Sequence, residues 1–227
     1  MTQWGVFTGF CFGIGGLVPG RHLAVRATRA RPSGCGNPQH VFAPLATFPK
    51  KPAAARQGEV QTFAKVDSKT MVPYSVDTED FGSLLLKFGK APHGHSDAVH
   101  ANASISQLAA GWKCSLAVGT YGTAGSVRWD FQQPNEIIVG RRDQPNQILQ
   151  RGTAGFSEDI AGFTDNPGGH PEGFPDSHKM HYRAIYQHIA SGRKTPVLFT
   201  TAADGHYEVK LCEAVLKSST ARRWVSV

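Results

Sequence analysis

Strands grouped in the first two thirds of the chain and helices placed largely after them predict an α+β domain with an antiparallel-rich sheet. Three observations carry this reading. Short apolar runs separated by turn residues fill residues 40–149, the period then lengthens to that of two amphipathic helices, and no strand–helix–strand alternation interrupts the order. A hydrophobic fraction of 40% with 13 Phe supplies a core, and 25 Gly with 14 Pro supply its turns.

The sequence changes character near Gln39. Residues 1–38 are rich in Gly, Arg, Ala and Pro without periodicity and are read as an irregular, disordered or aberrant segment; residues 39–227 are read as the domain. His40–Phe48 is apolar and extended, Glu59–Ala64 is a short strand, and Phe81–Phe88 contains the run Leu84, Leu85, Leu86 expected of a buried strand. Ala103–Gln107 and Lys113–Gly119 make two further strands joined by Leu108–Trp112. Ser126–Phe131 alternates Val127, Trp129 and Phe131 with Ser126, Arg128 and Asp130, the period-two pattern of a sheet with one covered face. Glu136–Gly140 and Gln147–Leu149 follow, with turns at Pro134-Asn135 and at Asp143 to Asn146.

Two helices close the chain. Pro175–Ser191 aligns Met180, Ala184, Ile185 and Ile189, with Pro175 in its first turn and Gly192 at its end. Thr200–Ser219 aligns Tyr207, Leu211 and Val215, with Cys212 and Leu216 beside them. Helix against sheet is the expected packing.

Composition excludes several classes of function. The formal charge of +7 is concentrated early, at Arg21, Arg26, Arg29 and Arg31, and beyond residue 57 the two signs nearly balance, so no nucleic-acid stripe is predicted. Cys11, Cys35, Cys114 and Cys212 form no CxxC pair, which predicts reduced thiols and a cytoplasmic chain. Val6–Val18 is too short to span a bilayer and no positive residue precedes it, so neither a membrane span nor a signal peptide is predicted.

Each motif has a bland competitor. From Gly13 the sixth position of a dinucleotide loop is Val18 and no helix follows, so no cofactor loop is predicted there. His93, His95 and His100 are read as loop histidines rather than metal ligands. Asn102-Ala103-Ser104 matches a glycosylation sequon, a short pattern with little weight without a secretory signal. The segment Asp165 to Asp176 is the most informative: Gly168-Gly169-His170-Pro171-Glu172-Gly173-Phe174-Pro175-Asp176 sets His170 and Glu172 in a loop both stiffened by proline and loosened by glycine. That suits hydrogen bonding to a polyhydroxylated ligand, and it equally suits a structural turn in which Asp176 caps the helix.

At this loop the sequence resembles the Gfo/Idh/MocA oxidoreductases, in the subgroup with a Gly-Gly-His-x-Glu-Gly-aromatic-Pro-Asp segment. Val76 to Phe81 with Leu84 to Phe88, Ser106 to Gly111, Gly122 to Trp129, Pro134 to Asn146, Ala203-Asp204-Gly205-His206 and Arg223-Trp224-Val225 extend the resemblance over about residues 40–227. It implies the family's carboxy-terminal domain, an open, mainly antiparallel sheet with helices on one face. It also implies a parent enzyme that uses NAD or NADP to transfer hydride at a secondary alcohol of a sugar or polyol. His170, Glu172 and Lys113 are the implied substrate contacts, and the open sheet is the implied homo-oligomer contact.

The family's glycine loop, Glu-Lys-Pro segment and Asp-x-Gly-x-His segment have no counterparts in this sequence. Residues 1–38 stand where the last of these belongs, with a composition suggesting a wrong frame or a misplaced start. A longer His-rich loop at Ala91–Ala103 replaces a tight turn, and Ala110-Gly111-Trp112-Lys113 departs from the family's Gly-Arg or Gly-Lys. The expectation is a chain that binds no nicotinamide and no metal and by itself turns nothing over. The competing expectation is a non-catalytic assembly or binding module that dimerises through its open sheet.

Overall fold

A computed structural model describes residues 36–48, 54–55, 71–72, 79–90, 98–112, 115–152 and 163–227. The strand expected at Glu59–Ala64, His93, His95, Lys113 and nearly all of the amino-terminal segment lie outside them. The described strands are β1 (His40–Phe42), β2 (Leu45–Ala46), β3 (Ala54–Ala55), β4 (Met71–Val72), β5 (Phe81–Lys90) and β6 (Ala98–Ser106). After these come β7 (Ala117–Tyr121), β8 (Ser126–Asp130), β9 (Glu136–Gly140) and β10 (Gln147–Gln150). Helices α1 (Phe174–Ala190) and α2 (Ala202–Ala221) follow, and β11 (Val225–Ser226) ends the chain.

One sheet runs β11-β1-β5-β2 with β6 on β5, a second runs β10-β9-β8-β7, β3 pairs with β4, and every pairing is antiparallel. The strand expected over His40–Phe48 breaks at Pro44, which has no N–H for a ladder; its carbonyl instead accepts Ser83 N–H at 3.1 Å. The two-residue strand β11 carried no periodic signal of its own and exists because Arg222, in the left-handed region at φ 51°, turns the chain back onto β1.

The core lies between the first sheet and α2. Val41, Leu84, Leu86, Phe88, Val99, Ala101, Ala103 and Ile105 meet Leu211, Cys212, Ala214 and Val215. Burying a side chain such as Leu211 contributes about 1.5–3 kcal/mol. The helix begins with a reciprocal cap, Asp204 N–H to Thr201 Oγ1 at 3.3 Å and Thr201 N–H to Asp204 Oδ2 at 3.0 Å. It is tied to the sheet by Ser218, whose Oγ accepts Ala43 N–H at 3.1 Å and donates to Arg223 O at 2.7 Å.

Three expectations are corrected. Leu85, in the run expected of a buried strand, is 45% exposed, because α2 covers only one face of β5. The alternation of β8 marks no covered face: Val127 is 38% exposed and every residue of that strand is half-buried or exposed. On α1 only Met180 is buried, Ala184 and Ile185 are half-buried, and Ile189 is 57% exposed, since among the described residues no strand lies against the whole stripe. The sequon falls inside β6, where Asn102 pairs with Leu85 and Ala103 is buried, a poor acceptor in the folded chain.

Candidate functional site

The segment ahead of α1 is fastened to the far end of the second sheet. Glu136 opens β9, Gln150 closes β10, and the two face each other in register. Beside them stand Asn135 and Arg151, and both reach into the loop. Asn135 acts as a strand partner made of side-chain amide: its Nδ2 donates to Glu172 O at 2.9 Å while Glu172 N–H donates to Asn135 Oδ1 at 2.9 Å. Arg151 donates from Nε to Asn135 Oδ1 at 3.0 Å, from one terminal nitrogen to Asn166 O at 3.0 Å, and from the other to His170 O.

Glu172 completes the fastening from within. Its Oε1 accepts the backbone N–H groups of Asp165 and Asn166, each at 2.7 Å, and lies 3.6 Å from Arg151; the side chain is only 9% exposed. A carboxylate spent on two amides and a guanidinium is an organiser of the loop. His170 N–H donates to Pro167 O at 3.1 Å, and Gly169 takes φ 82°, which leaves the His170 side chain exposed. Backbone meets backbone between Gly152 and Gly168: a Cβ on Gly152 would lie 2.5 Å from Gly168 Cα.

A second set of contacts ties the loop to α1. Arg183 donates to both oxygens of Asp165 at 2.6 and 2.7 Å, and Lys179 bridges Asp165 at 2.9 Å and Asp176 at 3.1 Å. The Arg183 hydrogen bonds, then those of Lys179, hold the Asp165 carboxyl well below the usual carboxylate range. Asp176 is lowered by the Gly173 N–H, then by Lys179, and it caps the helix, as the structural reading of that residue has it. Lys179 and Arg183 are raised by the same partners.

Between loop and sheet end lies a cavity of about 110 Å3, lined by Asn135, Glu136, Gln150, Arg151, Gly169 and His170. A second hollow of about 80 Å3 adjoins it, with Arg128, Asp130 and Ile138 in its wall, and Glu136 lines both. Of the residues chosen from sequence, His170 is at the cavity, Glu172 is folded into the loop behind it, and Lys113 is outside the described residues. Sequence reasoning missed Glu136, Gln150 and Arg151; the only signal was that Glu136 follows a Pro-Asn turn.

Neither described helix fits a dinucleotide. A pyrophosphate is held by free N–H groups at a helix N-terminus, whereas α1 and α2 each carry an aspartate in the first turn, Asp176 and Asp204, which accepts the N–H of the residue before the helix and sets a negative charge where an anion would sit. Among the described residues no group of three His, Cys, Asp or Glu could hold a metal ion, and no helix is long and apolar enough to cross a membrane.

The model of the Gfo/Idh/MocA family's oxidoreductase C-terminal alpha/beta domain matches residues 66–227. The chain belongs to this oxidoreductase family. As in other Gfo/Idh/MocA carboxy-terminal domains, an antiparallel open sheet carries its helices on one side. Solved structures agree in fold. An oxidoreductase from Sinorhizobium meliloti superposes with a TM-score of 0.72 at 22% identity, covering 98% of this chain and 57% of that one. An inositol dehydrogenase homolog from Azotobacter vinelandii, complexed with NADH and myo-inositol, gives 0.69 at 16% identity, covering 99% and 57%. A levoglucosan dehydrogenase in complex with NADH and L-sorbose gives 0.69 at 16% identity, covering 99% and 58%. This Gfo/Idh/MocA chain therefore spans less than three fifths of the length of these structures. No curated protein matches it in sequence.

Proposed function

We propose that this chain supplies the substrate-facing half of an NAD(P)-dependent oxidoreductase acting on a secondary alcohol of a sugar or polyol in the cytoplasm. The observation that carries the reading is the fastening of the His170 loop: Arg151, Asn135 and Glu172 hold an exposed Gly/Pro segment so that His170 lines the cavity. Ring nitrogens both donate and accept, which matches hydroxyl groups. The substrates named for the similar structures, myo-inositol and L-sorbose, are polyhydroxylated and support the same class.

In this reading His170 touches the substrate, Glu172 sets the loop that carries it, and Lys113, which lies outside the described residues, is a further substrate contact. Nicotinamide supplies the hydride carrier in the full-length enzyme. In this reading the chain alone binds neither NADH nor NADPH and has no turnover, since the family's glycine loop and its Glu-Lys-Pro and Asp-x-Gly-x-His segments have no counterparts in the sequence. Titration of the folded chain with myo-inositol, followed by ligand-observed NMR, tests the proposal. Saturable millimolar binding abolished by His170→Ala is expected; no binding by a cooperatively melting chain, or binding indifferent to His170→Ala, refutes it. Tight saturable nicotinamide binding would refute the division of labour.

A second reading has its own observation. The face of the first sheet away from α2 displays Leu85, 45% exposed, and Trp224, 38% exposed, with Phe42 6.0 Å from Trp224 and Lys87 4.4 Å over its ring. We propose this face as the contact of a homo-oligomer, and it is also the assembly surface if the chain is non-catalytic. Sedimentation across a concentration series distinguishes the cases: a dimer lost in Leu85→Arg supports the contact, and a monomer at all concentrations removes it.

A further inference from the structure

The charges around the two hollows are arranged unequally. Arg151 spends its N–H groups on Asn135 Oδ1, Asn166 O and His170 O and has Glu172 3.6 Å away. Arg128 has Asp130 3.5 Å away. Each guanidinium is thus neutralised by a carboxylate of its own. Glu136, which lines both hollows, has no ion-pair partner among the described residues and accepts a single long hydrogen bond, from Gln150 Nε2 at 3.3 Å. An ionised carboxylate offers about four acceptor positions, so most of this one's capacity is open to the cavity.

We infer that the cavity selects an uncharged vicinal diol, with Glu136 accepting from adjacent hydroxyls, over the same sugar carrying a phosphate or carboxylate at that end. Two neighbouring hydroxyls present two donors at the spacing of the two carboxylate oxygens, and hydrogen bonds to a charged acceptor are the stronger kind. An anionic group in the same place meets Glu136 at close range, while Arg151 and Arg128 each already have a carboxylate within 4 Å. At about 4 Å and an effective dielectric near 20, that repulsion alone exceeds a tenfold discrimination. The hollows are small beside a complete ligand pocket of roughly 300–1,000 Å3, so they seat one edge of the ring.

The inference rests on the reading of His170 as a substrate contact, and one experiment separates the two. The 227-residue chain is titrated with myo-inositol and with myo-inositol 1-phosphate, as wild type, Glu136→Gln, Glu136→Asp and His170→Ala, with thermal melts as a control of folding. The wild type is expected to bind the neutral polyol at least roughly tenfold more tightly than the phosphate. Glu136→Gln should weaken the neutral polyol roughly tenfold and narrow that gap, while Glu136→Asp keeps the gap. Equal affinity for both ligands in the wild type, or a gap unchanged in Glu136→Gln, overturns the selection by Glu136; if His170→Ala still abolishes binding, the substrate site itself stands. A folded wild type that binds neither ligand overturns both.

Discussion

Arg151→Ala removes three hydrogen bonds and the cation beside Glu172 in a single step. The two side chains are 16% and 9% exposed, so this pair is no ordinary surface bridge. Removing one member of a buried pair costs about 3–5 kcal/mol. Here Glu172 keeps two backbone amides, and water replaces the guanidinium at the carbonyls of the exposed residues Asn166 and His170, which brings the expected loss to about 2–3 kcal/mol. At roughly 2–4 °C per kcal/mol for a chain of this size, the melting temperature should fall by about 4–12 °C. Amide exchange supplies the local readout: the N–H groups of Asp165 and Asn166, both held by Glu172, should exchange faster, while Ala101 and Leu84 in the core keep their protection relative to the new global stability. Arg151→Lys keeps the charge but loses the fork and should fall between. A melting temperature shifted by no more than a typical surface substitution, about 0.5 kcal/mol, with unchanged exchange at Asp165 and Asn166, would refute the fastening argument.

Gly152→Ala should cost about 1–3 kcal/mol, because its φ of 81° disfavours a side chain and the new Cβ would press on Gly168; calorimetry showing no loss would mean the loop is not seated on β10. Leu211→Ala should cost about 2–5 kcal/mol and Leu85→Ala less than about 1 kcal/mol, measured by urea unfolding, and equal costs would contradict a one-sided core. Ser218→Ala leaves the Ala43 amide without its acceptor and should cost about 1–3 kcal/mol by the same assay; a neutral result would show that water reaches that amide. Asp165, lowered first by Arg183, contributes stability that is complete above the ordinary carboxylate value near 4 and is lost as pH falls through its depressed folded value. The difference between wild type and Asp165→Asn should therefore hold constant down to about pH 4 and shrink only below it. A difference that vanishes between about pH 6 and 5 would sink that linkage.

The fold was legible where a residue's neighbours lie close in sequence. The bounds Glu136–Gly140 coincide with β9, and Phe81–Phe88 and Ser126–Phe131 fall on β5 and β8 within a few residues, because alternation and turn residues are local signals. What covers a face is not local. The alternation of Val127 and Trp129 is real, and the stripe of Met180, Ala184, Ile185 and Ile189 is real, but Val127 and Ile189 stay exposed and only Met180 is buried. The same limit applies to the site. Loop composition pointed to His170 and Glu172 together, yet whether a carboxylate turns outward to a ligand or inward to amides depends on Arg151 and Asn135, which are 21 and 37 residues away along the chain from Glu172. Glu136 and Gln150 become neighbours only through the β9–β10 register.

The two halves of the domain are held by different forces, and this bears on how the site works. The first sheet and α2 share an apolar core, held by burial that is not directional. Helix α1 buries only Met180 and is joined to the rest by the Asp165–Arg183–Lys179–Asp176 network, by the edge-on contact of Phe174 with Phe131 at 6.1 Å, and by the loop that Arg151 fastens. The part-exposed ion pairs among these, unlike the more buried Arg151–Glu172 contact, fix position with little gain in stability. A helix so attached can adjust by small amounts without unfolding the core, whereas the His170 loop, tied to the sheet through Asn135 and Arg151, cannot. Placing the cavity on the sheet side of that division keeps its geometry independent of whatever meets the exposed Tyr182 and Tyr186 of α1.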